Sequence, residues 1–217
     1  MEWLAQLSWH RPKKMSRSVC RLPMISQNQY ELIRKTHGKY ASWAVWGEAS
    51  DKPKSNMGDM TIFGDNKVLP LLKPNVLMVG LNLSRFTISE PFRNFHDPSP
   101  SGQDYKIRFA FRDTEYYGAY MTDIIKGVVE VDSKNIPKHL KENPGVLADS
   151  LKIFRQELRD LGADSPLILA FGRIAYDIIK ENLSSAEYGK LIRLTHYSHQ
   201  IGKEKYRETV LKEIQQA

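Results

Sequence analysis

Three polar side chains stand where apolar runs end: Asn82 closes "NVLMVGLN" (75–82), Asp123 interrupts "GAYMTDIIKG" (118–127), and His196 sits in "LIRLTHYS" (191–198). A fourth run, "PLILAFG" (166–172), ends in Gly172 followed by Arg173. An amide donates and accepts, a carboxyl accepts when ionised and donates when protonated, and an imidazole does either. That set suits hydrogen-bond recognition and acid–base work. Asp123 is the odd member, because a lone carboxylate beside Ile124 and Ile125 is costly to desolvate without a partner. It either caps the next segment or waits for a group outside the chain. Singly, Asn82 reads as a turn former and His196 as a buried ring tied to a backbone carbonyl.

The elements that must position these residues alternate. Ser26 can cap a helix through Thr36 with Tyr30, Leu32 and Ile33 as a partial apolar stripe. The run 75–82 is a strand buried on both faces. After a long connection containing "DYKIRFAFRD" comes the Asp123 segment. Pro144 opens a helix in which Val146, Leu147, Leu151, Phe154, Leu158 and Leu161 recur at helical spacing, and Gly162 stops it. The run 166–172 is a strand, "RIAYDIIKENL" a helix, 191–198 a strand and "KEKYRETVLKEI" a last helix. This order predicts an α/β fold, a three-layer α/β/α sandwich around a central four-stranded, mostly parallel sheet. Ligands of such sheets sit beyond the carboxyl ends of the strands. The four polar strand ends are therefore expected to converge on one cleft.

The 217 residues, 41% hydrophobic and 26% charged, fit one globular domain over 25–217 behind a basic extension over 1–24, with "RPKKMSRSVCR" at 11–21. No apolar run reaches the roughly 20 residues of a membrane span. The opening "MEWLAQLSWHRPKK" lacks a secretory h-region, so the expectation is a cytoplasmic protein. Cys20 is the single cysteine and no HExxH-type spacing occurs, so no metal, metal cluster or other cofactor is expected. The net charge of +7 suits either solubility or a polyanionic partner.

At these residues the chain resembles the uracil-DNA glycosylase superfamily. "VGLNLSR" (79–85) is similar to its first motif, "YMTDIIK" (120–126) to its middle strand, "LILAFGRIA" (167–175) to its strand–Gly–helix step, and "THYSHQ" (195–200) to its His-Pro-Ser motif. The similarity spans roughly 75–214. It implies N-glycosidic cleavage of a base flipped out of double-stranded DNA, by a monomer near the nucleoid and without a cofactor. Asn82 would hold the attacking water. A neutral His196 would donate to the base O2 as charge develops there. Phe95, or Phe92, would stack on the base beside Gly80. Ser198 and amides near Gly172 and Arg173 would hold phosphates, with Arg85 and Tyr197 also at the DNA. Gln200 and Ile201 would lie where the family inserts its wedge.

Two departures bear on substrate. The family's reader of uracil is Asn, which donates to O4 and accepts from N3–H; here it is Asp123. A protonated Asp123 donates to cytosine N3 and accepts from the N4 amine. Uracil-specific members also block the base 5-position with a Tyr where this chain has the small Ser84, so a C5 substituent fits, and Arg85 and Arg93 would bond a polar one. The resemblance thus implies excision of a 5-modified cytosine, such as the hydroxymethyl or glucosyl-hydroxymethyl base of phage DNA, with phage defence as its use. Leu83 and Tyr197 replace the motifs' prolines. The rival readings are a uracil or mismatch glycosylase in base-excision repair, an inactive DNA-binding module on the same scaffold, and a nucleotide-binding α/β protein. The last lacks any GxGxxG or GxxxxGK[ST] loop.

Overall fold

The computed structural model describes residues 25–84 and 88–217; the basic extension and Arg85 lie outside them. Helix α1 (Gln27–His37) begins at Ser26, whose hydroxyl accepts from the Gln29 amide at 3.2 Å. Tyr30 and Ile33 are buried, but Leu32 is 45% exposed, because a step of two residues carries it round to the far side of the helix.

The sheet has five strands rather than four. β1 (Ala41–Trp43) pairs antiparallel with β3 (Ala119–Asp123); β2 (Lys73–Gly80), β3, β4 (Leu167–Phe171) and β5 (Lys190–Leu194) are parallel, in the order β1-β3-β2-β4-β5. At three residues, β1 is too short to show a period of two. β5 stops at Leu194, short of the expected Ser198, because Glu213 takes both the amide and the hydroxyl of Thr195 (2.8 and 2.7 Å). α2 (Tyr105–Phe111) occupies the stretch read as a connection, and α3 (Ile136–Glu142) precedes α4 (Pro144–Asp160). α5 (Arg173–Asn182) and α6 (Lys203–Gln216) complete the chain.

Alternate strand residues feed two cores. Leu77, Val79, Tyr120, Ile168 and Ala170 pack with Ile33, Phe154, Leu158 and Ile179 from α1, α4 and α5. Met78, Met121, Leu169 and Ile192 pack with Ile107, Phe111, Tyr206 and Val210 from α2 and α6. Helices thus cover both faces, an α/β fold of three layers. The order in which strands are added reverses about β2: β3 lies on one side and β4 on the other. The helices that follow β2 and β4 leave to opposite faces, which opens a crevice at the carboxyl edge.

One buried ion pair pins the strand that carries Asp123. Lys126 Nζ lies 2.6 Å from Glu157 Oε2, and both side chains are almost fully buried. Tyr120 and Thr122 hydroxyls donate to Glu157 Oε1 at 3.0 and 2.8 Å, and the Lys126 amide donates to Ser150 Oγ. Removing one partner leaves the other charged and unpaired. Glu157→Ala should therefore cost about 3–5 kcal/mol of stability, measured by urea unfolding, whereas Glu157→Leu combined with Lys126→Met should cost much less. Equal losses would show that the pair carries no special penalty.

Candidate active site

The strand ends finish at one level. Gly80 is paired with Asp123, Val79 with Ala170 and Phe171 with Leu194. Beyond them lies a cavity of about 460 Å³ lined by Asn82, Asp123, Phe95, Gly172, His196 and Tyr197 among others. All four predicted strand ends meet there, as do Ser84, Arg173 and Ser198.

Asn82 is fixed by the strands' own continuation. The Ile124 and Ile125 amides donate to Gly80 and Leu81 carbonyls, and the Glu130 amide donates to the Leu83 carbonyl. Asn82 Nδ2 donates to the Leu83 and Glu130 carbonyls at 2.7 and 2.9 Å. Two carbonyl neighbours fix which end of the amide is nitrogen. Oδ1 is then what Asn82 offers the cavity, an acceptor suited to holding a water.

Asp123 is buried, and it caps nothing. Its Oδ2 accepts from Asn94 Nδ2 at 2.8 Å. Asn94 also donates to the Tyr40 carbonyl and accepts from the Phe95 amide, so its orientation is set by three bonds. Burial pushes the Asp123 carboxyl up to about 6, against the Asn94 hydrogen bond and the charge of Lys126. Gly80 is obligatory here: a Cβ would overlap Asp123 Oδ1 and press within 3.2 Å of the Phe95 ring.

Phe95 and Phe92 diverge. Phe95 lines the cavity with its ring edge-on to Tyr197, whereas Phe92 is fully buried against Tyr30 and Phe63 on the opposite face, away from the cavity. Both have positive φ, 63° and 67°, a conformation that costs a bulky residue about 1–3 kcal/mol. Hydrogen bonds over-determine the loop: Trp46 Nε1 donates to the Phe95 carbonyl, Ser42 Oγ to that of Phe92, and Arg93 to that of Gly58. Arg93 is thereby occupied outside the cavity.

His196 follows from the Thr195–Glu213 anchor. The Ser198 amide donates to His196 Nδ1 at 3.1 Å, with Ser198 Oγ at 2.8 Å from the same atom. An amide can only donate, so Nδ1 is an acceptor and the ring hydrogen resides on Nε2. Burial depresses the imidazole to about 4, so at neutral pH it is an uncharged N–H donor. Ser198 therefore orients the ring. The Gly172 amide, expected at a phosphate, donates instead to the Leu194 carbonyl at 2.8 Å; the α5 amino end and Arg173 remain at the cavity rim. Gln200 and Ile201 do not line the cavity. Ile201 is half-buried against the core, while Val129 and Val131, 58% and 61% exposed, are the bare apolar groups in the segment bonded to Asn82.

Sequence reasoning missed Asn94, Asp104 and Glu130. Asn94 stood inside the "PFRNFHD" stretch that holds both aromatics; Asp104 and Glu130 carry no periodic signal. Among the described residues no group of three or more His, Cys, Asp or Glu side chains could hold a metal ion, and no helix is long and apolar enough to cross a membrane.

No protein-family model, curated protein or solved structure matches the chain. The geometry alone bears on what the cavity does. For His196, nitrogen NMR should show the neutral Nε2–H tautomer at pH 7 and protonation only near pH 4. A ring half-protonated at pH 6.5 would contradict the assignment.

Proposed function

We propose that the cavity receives a nucleobase turned out of duplex DNA and that the chain hydrolyses its N-glycosidic bond, as a monofunctional DNA glycosylase of the uracil-DNA glycosylase type acting on a 5-modified cytosine. The observation that carries this reading is the meeting of an acceptor amide, a buried acid and a neutral imidazole donor at one carboxyl edge.

The roles follow from chemistry. Water held by Asn82 Oδ1 attacks the sugar C1′; an amide is too weak a base to deprotonate it, so its contribution is position. The C1′–N1 bond breaks and its electron pair leaves with the base; the proton shed by the added water passes to solvent, from which the base anion regains one, leaving a C1′ hydroxyl on the abasic sugar. His196 Nε2–H donates to the base O2 as that charge develops, a preorganised dipole that needs no proton transfer. Phe95 offers the ring for stacking. The acidic lining of the cavity, Asp97, Asp104, Asp123 and Glu130 against Arg173, suits a base and repels phosphate. Phosphates then belong outside, at the α5 amino end and Arg173.

Asp123 supports a cytosine edge. One proton shared between its carboxyl and cytosine N3, with N4–H donating to the other oxygen, completes the pairing. Release of ordinary cytosine would destroy the DNA of the enzyme's own cell, so discrimination must act through C5, where Ser84 leaves room. Defence against DNA carrying such bases is the corresponding use.

A panel of duplexes with uracil, cytosine, 5-hydroxymethylcytosine and its glucosylated form, followed by cleavage at abasic sites, tests the reading. Release of a modified cytosine is expected. His196→Ala should lower kcat by about 10²–10³-fold, and Asn82→Ala should abolish turnover, each with DNA binding retained. No abasic sites from any duplex would sink the proposal.

The pH dependence has a definite sign. Asp123, raised to about 6, gains its proton as pH falls, and His196, depressed to about 4, stays neutral until well below that. Turnover of the cytosine substrate should rise from pH 8 towards 6, hold, and fall below about 4. Asp123→Asn should remove the upper limb and shift preference towards uracil, because its amide donates to O4 and accepts from N3–H. A flat profile, or no shift of preference, would remove Asp123 from base recognition.

A further inference from the structure

Asp104 lines the cavity yet has no part in the chemistry above. It stands immediately before α2, where an aspartate ordinarily accepts from the first-turn amides, and it makes no such bond. Its carboxylate turns back instead: Oδ2 accepts from the Asp97 amide at 3.0 Å and the residue is 7% exposed. Among the described residues its side chain makes no other hydrogen bond. Burial above all holds the carboxyl up at about 7, with the Asp97 amide opposing and the charges of Asp97 and Asp123 adding. A buried acid with an unmatched oxygen on a cavity is costly unless a ligand supplies the partner.

Two neighbours, the half-buried Gln103 and the exposed Ser101, line the cavity beside it. Gln103 donates its amide N–H to the Ser101 carbonyl at 3.1 Å, and among the described residues its own carbonyl oxygen has no donor. Ser101 Oγ lies 3.1 Å from Ser99 Oγ. Asp97 spends both oxygens on Ser99, accepting from its amide at 2.8 Å and its hydroxyl at 2.7 Å, so it shapes the loop and leaves the ligand to the others. The cavity, about 460 Å³, lies within the roughly 300–1,000 Å³ typical of drug-sized ligands, more than a bare pyrimidine ring fills. The lining acids oppose a substituent that carries negative charge. An ammonium only donates, whereas a hydroxyl both donates and accepts, and so serves Asp104 in either protonation state.

We propose that Asp104, Gln103 and Ser101 form a second recognition wall that accepts hydrogen bonds from an uncharged, hydroxyl-bearing substituent on the extruded base. The inference rests on the glycosylase reading and names the class of substituent. Asp104 determines specificity and takes no part in bond cleavage.

The test uses full-length Asn82→Ala protein, which binds without turnover, and duplexes carrying cytosine, 5-methylcytosine, 5-hydroxymethylcytosine, its glucosylated form or 5-carboxylcytosine. Fluorescence anisotropy should show binding to a hydroxyl-bearing base tighter than to 5-methylcytosine by about tenfold or more. Added Asp104→Ala should erase that preference while leaving affinity for the methyl duplex. Asp104→Asn keeps an acceptor for the Asp97 amide, which guards against misfolding; it should weaken the preference and improve binding of the carboxyl base. Equal losses on every duplex, methyl included, would make Asp104 a loop anchor and overturn the wall alone. A parent protein that binds all five duplexes alike, and wild type that releases none of their bases, would overturn the glycosylase reading with it.

Discussion

The molecule depends on one constraint: parallel strands that end at a common level around a position with no side chain. At Gly80 the chain leaves β2 directly beneath Asp123 Oδ1 and the Phe95 ring, and any Cβ would displace one or both. Beyond the Gly80–Asp123 pair the two segments stay bonded in a shifted register, with the Ile125 amide on the Leu81 carbonyl and Leu83 bridged to Val129. That zipper is what clamps the Asn82 amide. The position of β2 between β3 and β4, with following helices on opposite faces, then leaves open space above this edge.

Two kinds of buried charge follow from the same sheet and behave differently. Under the strands, Glu157 has Lys126, Tyr120 and Thr122 on its oxygens, and the group is closed. Above them, Asp123 has Asn94 and Asp104 has one amide, and each is left with capacity to spare. The first arrangement holds a strand in place; the second is a preformed set of acceptors. The chain carries a net charge of +7, yet the cavity lining gathers four acids, Asp97, Asp104, Asp123 and Glu130, so the interior of the cavity disfavours an anion.

Much of this was legible in the sequence. Continuous apolar runs closed by Asn82, Asp123, Gly172 and His196 gave the parallel strands and their convergence, because residues buried on both faces leave no other pattern. Ser26, Pro144 and Gly162 marked helix ends by their own backbone chemistry. What escaped is what depends on distant partners. β1 is only a three-residue edge. Phe92 and Phe95, three apart in an irregular loop, look alike until the fold sends one into the core and the other to the cavity. Asn94 reaches Asp123 across 29 residues, and Asp104 looks like an ordinary helix cap.

The state of His196 follows from its surroundings. The ring sits with Nδ1 against an amide that can only donate, and burial disfavours the imidazolium. The neutral ring, held by Ser198 and stacked 4.3 Å from the Tyr197 ring, lines the cavity as an N–H donor. In the proposed reaction such a fixed donor would need no reorganisation as charge develops on the base.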